Sequence, residues 1–203
     1  NLGVQRAQGD LLVLANPDIR FQSSLAPLLT LGPSFSWGTA LQLTPQGSAY
    51  SIDLMPEHKG LLFELLKLHR LVNRLPRPFL RHCYVVGSFL LVSRRVFAQC
   101  GGFSPAFFLY YEEAELARRL QAQAGPPQLL RSVQVFHEGF GSHTSSDSIR
   151  THELEGFLTY CRVTGQPELA ARRLRVLKLL AHVSAGARQR SLLLQQAIQN
   201  AQP

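Results

Sequence analysis

The sequence predicts an α/β fold: a mixed, mainly parallel sheet flanked by helices, followed by a helical C-terminal extension. Three observations carry that expectation. Asp10–Ala15 is a short, nearly continuous apolar run bounded by Gly and Pro, the pattern of a strand buried on both faces, and Tyr84–Val92 and Leu129–Phe136 read as further strands. Segments with helical spacing separate them, as at Leu61, Leu62, Leu65, Leu66, Leu68 and Val72. From Ser148 the pattern turns almost wholly helical, over Ile149–Thr164 and Pro167–Ala201. The expected division is a core over residues 1–147 and a helical extension over 148–203.

The composition suits this plan. Of 203 residues, 45% are hydrophobic and 17% charged, which fits one globular domain with an appendage. No stretch approaches the ~20 consecutive apolar residues of a membrane-spanning helix. The opening Asn1-Leu2-Gly3 carries no leader pattern and no initiator Met, so a fragment or processed chain is expected. Cys83, Cys100 and Cys161 form no CxxC pair, which favours buried thiols in a reducing compartment over a disulfide framework or zinc site. A net charge of +8 implies attraction to an anion: nucleotide phosphates, a lipid surface or nucleic acid. No recognised motif or aromatic–basic interleaving supports nucleic acid.

Taken in order, Val4–Gly9 reads as the end of a helix stopped by Gly9. The Asp10–Ala15 strand ends at Asn16-Pro17-Asp18. In an open α/β sheet ligands sit beyond the carboxyl ends of strands, so Asn16 and Asp18 read either as an ordinary turn or as ligand-facing groups. Ser23 and Ser24 precede a short helix. Trp37–Leu43 is a strand and Thr44–Ser48 a turn. An amphipathic helix is expected over Gly60–Leu75, with Lys67, His69, Arg70 and Arg74 on a solvated face and Pro76 and Pro78 ending it.

Tyr84–Val92 reads as one strand with Gly87-Ser88 in its middle, where Gly permits close approach of a ligand or backbone. Arg94–Cys100 is a short helix closed by Gly101-Gly102, and Leu129–Phe136 delivers His137 to a strand end. Gly139, Gly141, Ser142 and His143 then form a loop. Arg172, Arg173, Arg175, Lys178, Arg188 and Arg190 place positive charge on the C-terminal helices. These helices read as a surface for an anionic membrane or as a solvated face on a packing helix.

The segment Phe107–Arg119 carries most of the chemistry. An aromatic-aliphatic run leads into Glu112, Glu113 and Glu115 at the start of a helix running to about Ala124. Acidic residues are favoured there by the helix dipole and free N–H groups. Held against a core, clustered carboxylates also suit general-base work or metal binding. Together with Asn16, Asp18 and His137 they offer the oxygen and imidazole donors that a divalent metal beside a diphosphate takes.

In its motif order, the chain resembles the inverting glycosyltransferases of family 2, with the GT-A, partial Rossmann-like fold, and particularly their rhamnosyltransferase-like branch. The resemblance covers about Asn1 to Gly165. It rests on Asn1, Gly3, Ala7, Gly9 and Asp10 with Asn16-Pro17-Asp18; on Gly87-Ser88, Arg94-Arg95, Gly101-Gly102-Phe103 and Phe107–Glu113; and on His137, Gly139 and Ser142.

The resemblance implies inverting transfer of rhamnose or a similar hexose in cell-surface polysaccharide synthesis. The donor would be a dTDP- or UDP-sugar and the acceptor a saccharide or lipid-linked sugar. Glu113 takes the catalytic-base position, Asp18 and His137 that of ligands to Mg²⁺ or Mn²⁺, and Asn16, Gly87, Ser88, Glu112 and Glu115 border donor or acceptor. The implied place is the cytoplasm, with peripheral contact at the inner membrane face. Two departures stand out. The family has Asp where this chain has Glu113 and Glu115, and it has a further nucleotide-binding βαβ unit before the position of Asn1. The alternative reading is a non-catalytic GT-A remnant or interaction module.

Overall fold

A computed structural model describes residues 1–57, 72–73, 77–138, 146–182 and 185–200. The helix expected over Gly60–Leu75 falls almost wholly outside the described residues, as do Pro76 and the loop residues Gly139, Gly141, Ser142 and His143. The chain divides into two compact units, Asn1–Phe103 with Leu116–Ser142, and Ser104–Glu115 with His143–Pro203. Among the described residues no helix is long and apolar enough to cross a membrane.

The first unit holds α1 (Leu2–Arg6), β1 (Leu11–Ala15), β2 (Ile19–Phe21), α2 (Ala26–Leu29), β3 (Trp37–Leu43), β4 (Ile52–Leu54), β5 (Cys83–Val85), β6 (Phe89–Ser93) and α3 (Arg94–Gln99). The helix α4 (Glu112–Ala124) contributes its residues from Leu116 onward, and β7 (Gln128–His137) completes the unit. Among the described residues the main sheet runs β1-β6-β3-β7-β2, and β4 pairs with β5 separately. The mixed α/β class agrees with the sequence reading. The expectation of a mainly parallel sheet does not hold among the described residues, where only β3 and β7 pair in parallel, while β1·β6, β2·β7 and β3·β6 are antiparallel.

The reason lies in what an apolar run encodes. On β6, Leu90 and Val92 enter one buried cluster with Leu12, Trp37, Val96, Leu116 and Leu120. Phe89 and Leu91 enter another with Leu28, Phe35, Ala40, Val133 and Val135. Burial on both faces produces the continuous apolar pattern whichever way the neighbours run. β1 follows this only in part, since Leu12 is buried but Val13 is exposed.

Gly38 brings β3 against β7: a Cβ there would fall 2.0 Å from the Gln128 carbonyl oxygen. The single strand expected over Tyr84–Val92 is instead two strands in different sheets, β5 and β6. Between them Val86 donates its N–H to Ser51 O at 3.1 Å, and Phe89 N–H returns to Val86 O at 3.4 Å. The break sits at Gly87-Ser88, where a Gly weakens a strand.

The short helices begin and end on local chemistry. Ser93 caps α3 by accepting the Val96 N–H, and Gly101 and Gly102, at φ 76° and 70°, end it in the left-handed region that Gly occupies cheaply. Ser24 Oγ accepts the Ala26 N–H at the start of α2.

The second unit holds the start of α4 and α5 (Ser146–Val163), α6 (Glu168–Leu180) and α7 (Ala185–Asn200). The helical run expected over Pro167–Ala201 is thus divided into α6 and α7, with a turn beginning at Ala181. α5 ends at a left-handed Gly165, φ 68°, with Gln166 N–H donating back to Cys161 O at 2.8 Å. Phe157, Tyr160, Leu169, Leu177 and Leu194 are buried within this unit.

Candidate functional site

The turn after β1 and the end of β7 bring two expected site residues together. Ile19 N–H donates to Asn16 O at 3.3 Å, closing the Asn-Pro-Asp turn, and β2 then pairs with β7 in the register Ile19↔His137. Glu138 N–H donates to Asp18 O at 3.2 Å. This places His137 Nε2 at 3.2 Å from Asp18 Oδ2, with the side chains 24% and 17% exposed. The pair is shielded but open to a ligand. Beside it Arg20 and Glu138 form an ion pair.

An Asp and a His supply one oxygen and one nitrogen donor. Among the described residues no group of three or more His, Cys, Asp or Glu is placed to hold a metal ion. Of the two, the Asp18 carboxylate is the donor that suits a hard cation such as Mg²⁺, whose shell is otherwise filled by water and substrate phosphate oxygens.

Asn16 N–H donates to Ser88 O at 2.9 Å, so Asn16 and the Gly87-Ser88 turn are joined through their backbones. The Ser88 hydroxyl turns inward, donating to Gln42 Oε1 at 2.5 Å. Gln42 Nε2 donates to Thr39 Oγ1 at 3.2 Å, and Thr39 Oγ1 donates to Phe89 O at 2.6 Å. Buried polar groups are tolerated when partnered in this way. The network was not anticipated from the sequence, although Thr39 and Gln42 are the polar side chains in the apolar strand Trp37–Leu43.

The carboxylates belong to the second unit. Tyr110 and Tyr111 each have φ 66°, and a non-Gly residue held there costs on the order of 1–3 kcal/mol. Packing within the unit holds the turn. Gly156 of α5 lies under it, and a Cβ there would stand 2.5 Å from Tyr110 O and 2.8 Å from Leu109 O. The Tyr111 ring packs on Phe157 and Tyr160, with centroids at 5.5 and 6.0 Å. Arg173 of α6 donates to the Tyr111 hydroxyl at 2.8 Å and to Glu153 at 2.8 Å.

Burial raises the Glu112 carboxyl above its ordinary range, against a lowering backbone hydrogen bond. Among the described residues its Oε2 is buried without a hydrogen-bond partner. Burial raises the Tyr110 phenol as well, with Glu153, Glu112 and Glu113 adding to it. Glu113 Oε2 is also buried, and Glu115 is buried as a whole. A carboxyl raised by burial at a helix start holds its proton more tightly than a solvated one.

The expected site residues therefore fall into two sets: Asn16, Asp18, Gly87, Ser88 and His137 in the first unit, and Glu112, Glu113 and Glu115 in the second. Several other motif residues have structural work. Asn1 clamps the backbone of Phe103, and Arg94 donates to the carbonyls of Gly9 and Val4. Arg173 and Glu153 were not singled out as site residues. Compared with the models of known protein families and with curated proteins, the chain matches none.

Proposed function

We propose that this chain is part of a metal-dependent inverting glycosyltransferase of the family 2, GT-A type. It would move rhamnose or a similar hexose from a dTDP- or UDP-sugar to a saccharide or lipid-linked acceptor in polysaccharide assembly. The observation that carries the reading is the Asp18–His137 pair at 3.2 Å, on a turn beyond the carboxyl end of β1. Asp18 and His137 would hold Mg²⁺ or Mn²⁺, which neutralises diphosphate charge and so favours its departure. Glu113 takes the proton of the acceptor hydroxyl. The acceptor oxygen forms its bond to the anomeric carbon as the bond to the diphosphate breaks, with inversion. Glu112, raised by burial, and Glu115 support that base.

The reading places the protein in the cytoplasm with peripheral contact at the inner membrane face. Support comes from α6, where Leu179 is 72% exposed in a segment that also exposes Arg172, Arg175 and Lys178. Exposed apolar and cationic groups together suit an anionic lipid surface.

The test is transfer or donor hydrolysis by the full-length protein with Mg²⁺ or Mn²⁺ and a panel of dTDP- and UDP-sugars. Turnover should fall at least a hundredfold in Asp18→Ala and in Glu113→Gln. Full turnover in both folded variants would overturn the assignment. Donor binding without turnover in the unsubstituted protein would favour a non-catalytic GT-A module instead.

A further inference from the structure

We propose that Arg173 is a positioning residue: from α6 it fixes Tyr111, and through the Tyr110–Tyr111 turn it sets the direction of Glu112 and Glu113. The inference rests on the reading of these carboxylates as the proton-transfer groups of a glycosyltransferase.

Two consecutive left-handed tyrosines persist only where the surroundings hold them. Arg173 is suited to that task because it is itself immobilised. It is 5% exposed, donates to Glu153 of α5 at 2.8 Å and lies 4.5 Å from the centroid of the Phe157 ring, a cation–π arrangement. It also donates to the Tyr111 hydroxyl at 2.8 Å. From the other side Gly156 admits the Tyr110 carbonyl to a distance that any Cβ would forbid. Helix α4 begins at the next residue, so the turn determines where its first carboxylates point.

The experiment uses the full-length protein with Tyr111→Phe, Arg173→Met and the control Arg162→Met, at an exposed position of α5. Folding is checked by circular dichroism. Glu112 is titrated by ¹³C NMR of labelled glutamate without donor, and kcat and KM are measured across pH with a nucleotide-sugar. Tyr111→Phe and Arg173→Met should bring the Glu112 midpoint down toward its ordinary value and lower kcat roughly ten- to a hundredfold. Donor KM should be unchanged, and Arg162→Met should change nothing. An unshifted Glu112 midpoint in folded Tyr111→Phe overturns the proposal, and that variant decides alone if Arg173→Met does not fold. A shifted midpoint in a protein that turns over no donor keeps the positioning role and removes the glycosyltransferase reading.

Discussion

Asn1 grips the backbone of Phe103, its Nδ2 donating to the carbonyl at 2.8 Å and its Oδ1 accepting the N–H at 3.0 Å. The contact ties α1 to the Gly101-Gly102 turn after α3. Gly102 is left-handed at φ 70°, and a Cβ there would stand 2.7 Å from Asn1 Oδ1 and 3.0 Å from the Phe97 ring. Gly102→Ala should therefore cost more than Asn1→Ala, about 2–4 kcal/mol against about 1 kcal/mol. Urea unfolding midpoints of the two variants check the order.

Gly38→Ala should prevent folding. Its Cβ would meet the carbonyl oxygen of Gln128 at 2.0 Å, backbone against strand, in the parallel β3·β7 pairing. A rigid neighbour cannot yield as a flexible side chain can, so the loss should exceed about 4 kcal/mol. Gly3 inside α1 has nothing within 4 Å of the same added atom. Gly3→Ala should leave stability unchanged or raise it by about 0.5–1 kcal/mol. Soluble yield and circular dichroism separate the two outcomes.

The thiols give a pH prediction. Burial pushes Cys83 up to about 12, with Asp53 adding to it, and pushes Cys161 up to about 11, from an ordinary value of 9.0. A raised folded pKa means that the stability is fully present below pH 9 and lost as pH rises toward 11–12. Cys83→Ala with Cys161→Ala should flatten the alkaline fall in unfolding temperature between those limits. At pH 8 a thiol reagent should label Cys100 in the folded protein well before Cys83 or Cys161.

How much of this was legible follows from what each pattern encodes. β3 stood out as Trp37–Leu43 because it is buried along most of its length, and β7 stood out ahead of His137 because Val133 and Val135 alternate with exposed residues. Strand direction was not legible, since Leu90 and Leu91 would be apolar beside either a parallel or an antiparallel neighbour. β4 escaped notice because a strand of three residues, Ile52–Leu54, is too short to show a period, and β5, Cys83–Val85, was read as the front of one strand with β6. Asp18 and His137 were legible as strand-end groups, and their register joins them. Arg173 was not, because it reads as one more cation beside Arg172 and Arg175. It is buried, and it donates to a tyrosine that is 62 positions away in the chain.

Glu112 closes the set with a prediction that separates stability from activity. Burial raises its carboxyl above the ordinary value of 4.5, so ionising it opposes folding. Its contribution is fully present below pH 4.5 and is lost as pH rises through the raised folded pKa. Glu112→Gln removes that ionisation while keeping the shape. The variant should therefore be more stable than the parent at pH 7, with the difference vanishing as pH falls below 4.5. If Glu112 supports the base at Glu113, the same change should lower turnover in the range where the variant is the more stable protein. Unfolding temperatures and donor turnover measured on one pH series test both halves. A variant less stable than the parent at pH 7 would show that the Glu112 carboxylate stabilises the helix start more than its burial costs.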